Sequence, residues 1–227
     1  MLRKQYDLFE TVYTGNSIVF KGKRVADGLS VAVKRVPLED GTRERDILNK
    51  LHSPKRHPHI IELLDHIVSD DGMYMHLVFP WIEDQTPQLT RNPSLTKQCT
   101  RQLLETLSYM HERGIAHLDV KPSNILVDGK SLKLIDFGHA QTLERIRLAS
   151  PGTVSYSPPE ILLMESRRHS AKIDIWGAAA VTFEWLTGKR LIDAGDEFDA
   201  LSKIRVFLES MHGYFTFAEE IDGLVDQ

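Results

Sequence analysis

His117-Leu118-Asp119-Val120-Lys121-Pro122-Ser123-Asn124 is the stretch on which the reading of this chain turns, and Asp136-Phe137-Gly138 follows, with Asp136 twelve residues after Asn124. Asp119 and Asn124 stand five apart in a loop between two regular elements. Before the loop, residues 95–113 have helical spacing, with Leu103, Leu104, Leu107 and Met110 on one side and Gly114 as the stop. After it, residues 125–127 and 132–135 read as a hairpin about Asp128-Gly129. Transfer of a phosphoryl group needs a carboxylate beside the attacking hydroxyl and separate oxygen ligands for magnesium. Asp119 suits the first role; Asn124 and Asp136 suit the second.

Upstream the chain changes character. Residues 12–20 and 29–36 are short and rich in β-branched residues, with Asp27-Gly28 as the turn between them. Residues 43–51 have helical spacing, Ile47, Leu48 and Leu51 sharing a face. Residues 60–69 and 73–79 read as two further strands joined by Asp70-Asp71-Gly72. Downstream, Pro158-Pro159-Glu160 precedes a helix over 174–186. The expectation is an α+β chain: a β-rich N-lobe over 1–79, a linker over 80–93 and a mainly helical C-lobe over 94–227.

Composition sets the outer limits. Hydrophobic residues make up 41 % of the chain, enough for a core, and the net charge of −4 argues against a basic surface for nucleic acid. The single Cys99 cannot form an internal disulfide, which fits a reducing compartment, cytoplasmic or nuclear. No apolar run of signal-peptide length opens the chain, and the longest, 175–186, is broken by Glu184 and too short to span a bilayer. No membrane is expected as a partner.

In this order and at this spacing, the two quoted segments resemble the catalytic and metal-binding loops of the eukaryotic protein kinases. Val31-Ala32-Val33-Lys34 is similar to the strand of that family that carries its phosphate-binding lysine. The resemblance implies a bilobal fold, ATP and Mg2+ as cofactors, and a protein as substrate. It makes Asp119 and Lys121 catalytic, Asn124 and Asp136 metal ligands, and Lys34 the anchor of the α- and β-phosphates. A lone lysine or glutamate is ordinarily solvated; beside the loop, Glu44 becomes the anionic partner of Lys34. Phe79 would lie behind the adenine, the backbone of Pro80 and Ile82 would bond its edge, and Val19, Ala32 and Leu126 would cover its faces, positions that also suit ordinary core. Gly152-Thr153 and Ser157-Pro158-Pro159-Glu160 resemble the end of the activation segment, and Asp174-Ile175-Trp176-Gly177 the helix that anchors the catalytic loop. Lys121 with Thr153 is similar to the Ser/Thr-specific members. Leu77-Val78-Phe79 and the run over 197–204 look like the cyclin-dependent kinases.

Several positions depart from the family pattern. The phosphate loop, Val12-Tyr13-Thr14-Gly15-Asn16-Ser17-Ile18-Val19, holds one glycine out of register, so Val12, Gly15 and Val19 are expected beside the nucleotide in a weakened loop. Leu118 stands where an Arg usually reads a phosphate on the activation loop. Only ten residues lead from Lys34 to Glu44, and the missing part is what a cyclin grips, so no cyclin is expected as partner. Arg45 follows Glu44 where the cyclin-dependent group has an apolar residue, and Ser157 replaces the Arg tied to proline-directed specificity. Together these resemble the divergent, monomeric cyclin-dependent-kinase-activating kinases of fungi. The alignment also implies a C-lobe lacking its last helices. Glu160 would then lack an Arg partner, and the flank around Trp176, Phe183 and Trp185 would be open to association. Two readings follow. The five polar residues Lys34, Glu44, Asp119, Asn124 and Asp136 favour an active Ser/Thr kinase of cell-cycle or related signalling. The poor glycine loop and the short C-lobe favour a pseudokinase, a nucleotide-binding scaffold.

Overall fold

Alternation along one strand sorts the upper half of the molecule. β3 (Ser30–Pro37) sends Val31 and Val33 to one face, where they pack with Tyr6 and Val78, and Ala32 and Val36 to the other, against the main core. A computed structural model describes residues 2–84, 86–146, 152–163 and 170–210. After the short α1 (Leu2–Gln5) come β1 (Tyr6–Thr14), β2 (Ile18–Arg24) and β3, then β4 (Asp65–Val68) and β5 (Tyr74–Pro80). They form one antiparallel sheet in the order β1-β2-β3-β5-β4. Residues 12–20 are therefore not one strand. The chain reverses at Gly15-Asn16-Ser17, pairing Thr14 with Ile18, and β-branched residues on both sides hide the turn. Of residues 60–69 only Asp65–Val68 is a strand.

α2 (Leu38–His52) follows β3 with no residue between them. Its start is five residues earlier than helical spacing alone indicates, with Pro37 before it and Glu39 and Asp40 in the first turn, where acidic groups suit the helix dipole. Gly41, Glu44, Leu48 and Leu51 form its buried face. Burying Leu48 and Leu51 contributes about 1.5–3 kcal/mol each. Beyond α2 the chain is stitched to the lower half: Ile61 N–H donates to Leu134 O at 3.0 Å, and Leu134 N–H to His59 O at 2.8 Å.

The lower half is mainly helical. α3 (Pro93–Glu112) starts with Pro93 in its first turn and with Asn92, whose side chain accepts from Leu95 N–H at 3.0 Å. Leu103, Leu107 and Met110 are buried as expected, but Leu104 lies 43 % exposed, one step round the helix on the solvent flank. β6 (Ile115–Ala116) pairs with β9 (Gln141–Thr142), and β7 (Ile125–Asp128) with β8 (Ser131–Leu134), on either side of the catalytic-loop sequence. α4 (Pro159–Leu162), α5 (Lys172–Thr187) and α6 (Glu197–Ser210) complete the half. The result is the α+β, bilobal architecture expected. A single cluster of buried side chains runs from Val36 and Leu48 above to Leu103, Val181 and Trp185 below.

The open flank is smaller than expected. Trp185 is buried against α3, and Trp176 is half-buried among the side chains of α6. Only Phe183 of the three is exposed, in a stripe along α5 with Ile175 and Leu186. Glu160 is not without an interaction. The sequence also offers a position near Leu148 without an activation-loop hydroxyl, Ser150 as an accidental phosphate acceptor, and Arg167 and Arg168 as substitute cations for Glu160; these, and whatever follows Ser210, fall outside the described residues.

Candidate active site

β3, α2 and the turn after β8 converge on one ammonium. Lys34 Nζ donates to Glu44 Oε2 at 2.6 Å and to Asp136 Oδ1 at 2.7 Å, joining the two halves across the cleft. The even-numbered face of β3 points Lys34 inward, and the three-to-four-residue periodicity of the buried face of α2 aims Glu44 at it. Burial opposes the charge on Lys34, but the two carboxylates outweigh it and push its pKa up. Burial pushes Glu44 above the ordinary glutamate range, with Lys34 pulling the other way. Asp136 is also desolvated, yet Lys34 holds its carboxyl below the usual value. Glu44 Oε1 accepts from Phe137 N–H at 3.3 Å, tying α2 to the Asp136-Phe137-Gly138 turn. Phe137 is buried edge-on to His117, ring centres 5.0 Å apart.

A second cluster lies on the lower wall. Asn124 Nδ2 donates to Asp119 O at 2.8 Å and to Asp119 Oδ2 at 2.9 Å. Lys121 Nζ sits 2.7 Å from Asp119 Oδ2 and donates to Thr153 Oγ1 at 2.8 Å. Thr153 in turn donates to Asp119 Oδ1 through its hydroxyl at 3.2 Å and its N–H at 3.3 Å. Gly152 permits this closeness, since a Cβ there would stand 2.9 Å from Asp119 Oδ1. Burial works against ionised Asp119, but the Lys121 ammonium prevails and holds its pKa down. Asp119 N–H donates to His117 Nδ1 at 3.4 Å, which leaves His117 Nε2–H to donate to Ile135 O at 3.0 Å.

The loop itself is held in a demanding shape. Leu118 has φ of 66° and Asp136 of 60°, a region that costs non-glycine residues about 1–3 kcal/mol. Asp174, buried at the start of α5, offsets this. Its Oδ1 accepts from Leu118 N–H, and its Oδ2 from His117 N–H and His111 Nε2–H, all at 2.8 Å. Leu118 packs its side chain into an apolar cluster with Ala116, Ile146, Ile161 and Ile173.

The positions expected around the adenine are adjacent on the sheet. Ala32 stands opposite Phe79, Val19 opposite Lys34, and Val31 opposite Pro80. Ile82 packs on the main core, and Leu126 is half-buried on β7. Val12 is on the exposed part of β1. Gly15 N–H donates to Ser17 O at 3.0 Å and the Tyr13 ring folds against it, so this segment is a closed hairpin turn rather than an open glycine flap. Asn124 spends its amide N–H groups on Asp119, leaving its amide oxygen as the acceptor a hard cation needs. Among the described residues no group of three or more His, Cys, Asp or Glu side chains is gathered as a metal centre. The Asn124 amide oxygen and the Asp136 carboxylate are the oxygen donors that would suit magnesium carrying nucleotide phosphates as its further ligands. Sequence reasoning misses His111, whose only signal is a basic residue in the last turn of α3.

A strand lysine thus faces helix and loop carboxylates across a cleft, above a loop aspartate paired with lysine and asparagine. The chain belongs to the protein kinase family: the family described as Protein kinase domain matches residues 12–221. It is 35 % identical over 205 residues to a CTD kinase subunit alpha of Schizosaccharomyces pombe, an alignment that covers 82 % of this chain and 33 % of that protein. The chain thus spans about a third of the length of the curated relative it matches. The resemblance to the eukaryotic protein kinases and their cyclin-dependent branch stands.

Proposed function

We propose that the chain is a catalytic protein kinase domain that transfers the γ-phosphate of ATP to serine or threonine hydroxyls of a protein. The observation that carries this is the Lys34 bridge between Glu44 and Asp136, set above an Asp119 held by Lys121, Asn124 and Thr153. Lys34 binds the α- and β-phosphates, oriented by Glu44. Asn124 and Asp136 hold magnesium, which neutralises charge on the phosphates when bound. Asp119 orients the attacking hydroxyl and takes its proton. Its depressed pKa makes it a weak base, which suits a loose transition state in which the proton leaves late. Lys121, bonded to Thr153 beside Asp119, is placed to meet the transferring phosphate. Phe79, Pro80, Ile82, Val19, Ala32 and Leu126 form the adenine slot, with Val12 and Gly15 at its mouth. We assign residues 1–79 to the N-lobe, 80–93 to the linker and 94–227 to the C-lobe. Because β3 runs into α2 without a loop, no cyclin is needed to set Glu44. Among the described residues no helix is long and apolar enough to cross a membrane, and a nuclear or cytoplasmic setting in cell-cycle or related signalling fits the family.

One observation favours a nucleotide-binding scaffold instead: the Gly15 amide, which would face phosphate in an open loop, is spent on Ser17 O. Transfer of labelled phosphate from ATP to a generic basic protein, with Asp119→Asn as control, decides between them. Asp119→Asn is expected to lose on the order of 10²-fold or more in transfer while retaining nucleotide binding. Equal transfer by wild type and variant sinks the catalytic assignment; binding without any transfer by wild type selects the scaffold.

A further inference from the structure

A glycine inside a helix is less favourable than an alanine, so its presence in the buried face of α2 calls for a packing reason. Gly41 is the fourth residue of α2 and presses on β5 where Met75 pairs with Val36 of β3. A Cβ at Gly41 would stand 2.6 Å from Met75 Cβ, 3.1 Å from Met75 Cγ and 3.0 Å from Val36 Cγ2. Met75 and Val36 are buried, 1 % and 5 % exposed, so neither can swing aside into solvent. The first turn is pinned at the same place, Leu38 N–H donating to Met73 O at 3.0 Å and Thr42 Oγ1 to Leu38 O at 2.8 Å. Glu44 follows Gly41 by three residues and so lies on the same face one turn on.

We propose that Gly41 is a positioning residue: its missing side chain lets α2 close onto β5 far enough for Glu44 to reach Lys34. With no loop between β3 and α2, the helix has no slack to recover that reach by swinging about a hinge. A carbon at Gly41 wedges the first turn off the sheet, and the 2.6 Å Lys34–Glu44 contact is what stretches. The inference rests on the reading of Lys34 and Glu44 as the phosphate-binding pair.

The test is the dissociation constant of a fluorescent ADP analogue with magnesium for the full chain, with thermal melting alongside, in Gly41→Ala, Glu44→Gln and the double variant. Gly41→Ala is expected to bind about tenfold more weakly, the scale of one lost charge-assisted hydrogen bond. In the Glu44→Gln background the same change is expected to add less than about twofold, because the two act through one contact. Adding Met75→Gly to Gly41→Ala removes the opposing carbon and is expected to restore affinity. This pair also serves if Gly41→Ala alone does not fold: folding with wild-type affinity supports the proposal, and folding without recovered affinity overturns it. Wild-type affinity with a higher melting temperature in Gly41→Ala, the outcome expected of a helix simply relieved of a glycine, overturns it. So does an equal loss in both backgrounds. If Glu44→Gln itself binds as wild type, the underlying reading of the pair fails instead.

Discussion

Replacing Asp174 by alanine removes the acceptor that holds the catalytic loop in its left-handed turn. Two backbone amides, of His117 and Leu118, lose a 2.8 Å bond in a buried setting, and His111 loses a third. A buried donor left without an acceptor costs about 1–3 kcal/mol. Release of Leu118 from a positive φ returns part of this, about 1–3 kcal/mol. The net cost is roughly 2–6 kcal/mol, and at about 2–4 °C per kcal/mol for a chain of this size Tm should fall by roughly 4–24 °C. Asp174→Asn keeps one oxygen as acceptor and should fall between. The assay is thermal melting by calorimetry, paired with phosphate transfer at a temperature where both proteins are folded. Transfer should drop as well, since Asp119 is next to the freed Leu118. An Asp174→Ala protein that melts within about 1 °C of wild type and transfers phosphate at the same rate refutes the reasoning.

Lys34→Met leaves the carboxylates of Glu44 and Asp136 without their shared cation. Burial already raises Glu44, and removal of Lys34 raises it further, so the folded variant takes up a proton that the unfolded chain releases near the ordinary value of about 4.3. Its stability deficit against wild type should therefore grow as pH rises above that value and shrink on acidification; a deficit independent of pH between 5 and 8 contradicts this. Activity should survive phosphatase treatment, because Leu118 is apolar, packs among Ala116, Ile146, Ile161 and Ile173 and offers no charge to a phosphate; a treatment that erased activity would contradict it. The stripe of Ile175, Phe183 and Leu186 on α5 should make the isolated chain associate with a second copy, seen as a rise in sedimentation coefficient with concentration that Phe183→Glu with Leu186→Glu abolishes. A single species in both proteins speaks against it.

The lower half was legible because its signals are local and ordered. Asp119, Asn124 and Asp136 sit in one short segment, and the helix before it ends at Gly114, just as α3 does with Arg113 as its cap. The upper half was less so. Val12 to Thr14 and Ile18 to Phe20 share one composition, so the turn at 15–17 could not be told from strand without the pairing partner. α2 was read short because Gly41 interrupts its propensity; what overrides that is contact with Met75, some thirty residues away in sequence. Leu104 satisfies helical spacing yet faces water, since spacing fixes a stripe but not its width. The Asp174 anchor is legible only through the resemblance of its segment, and the bond from His111 joins residues 63 apart, which no local pattern encodes.

Ladder bonds between residues 59–61 and Leu134 act as the spine of a book. A cleft bound along that line would open by rotation about it more readily than by translation. The tip of the β1–β2 hairpin, the leaf edge, would then travel farther for a given angle than Asp136, two residues along the chain from Leu134. Nucleotide would come and go past the hairpin with the inner ion pair almost undisturbed. Amide exchange should record the difference, slow at Ile61 and Leu134 and fast around Gly15.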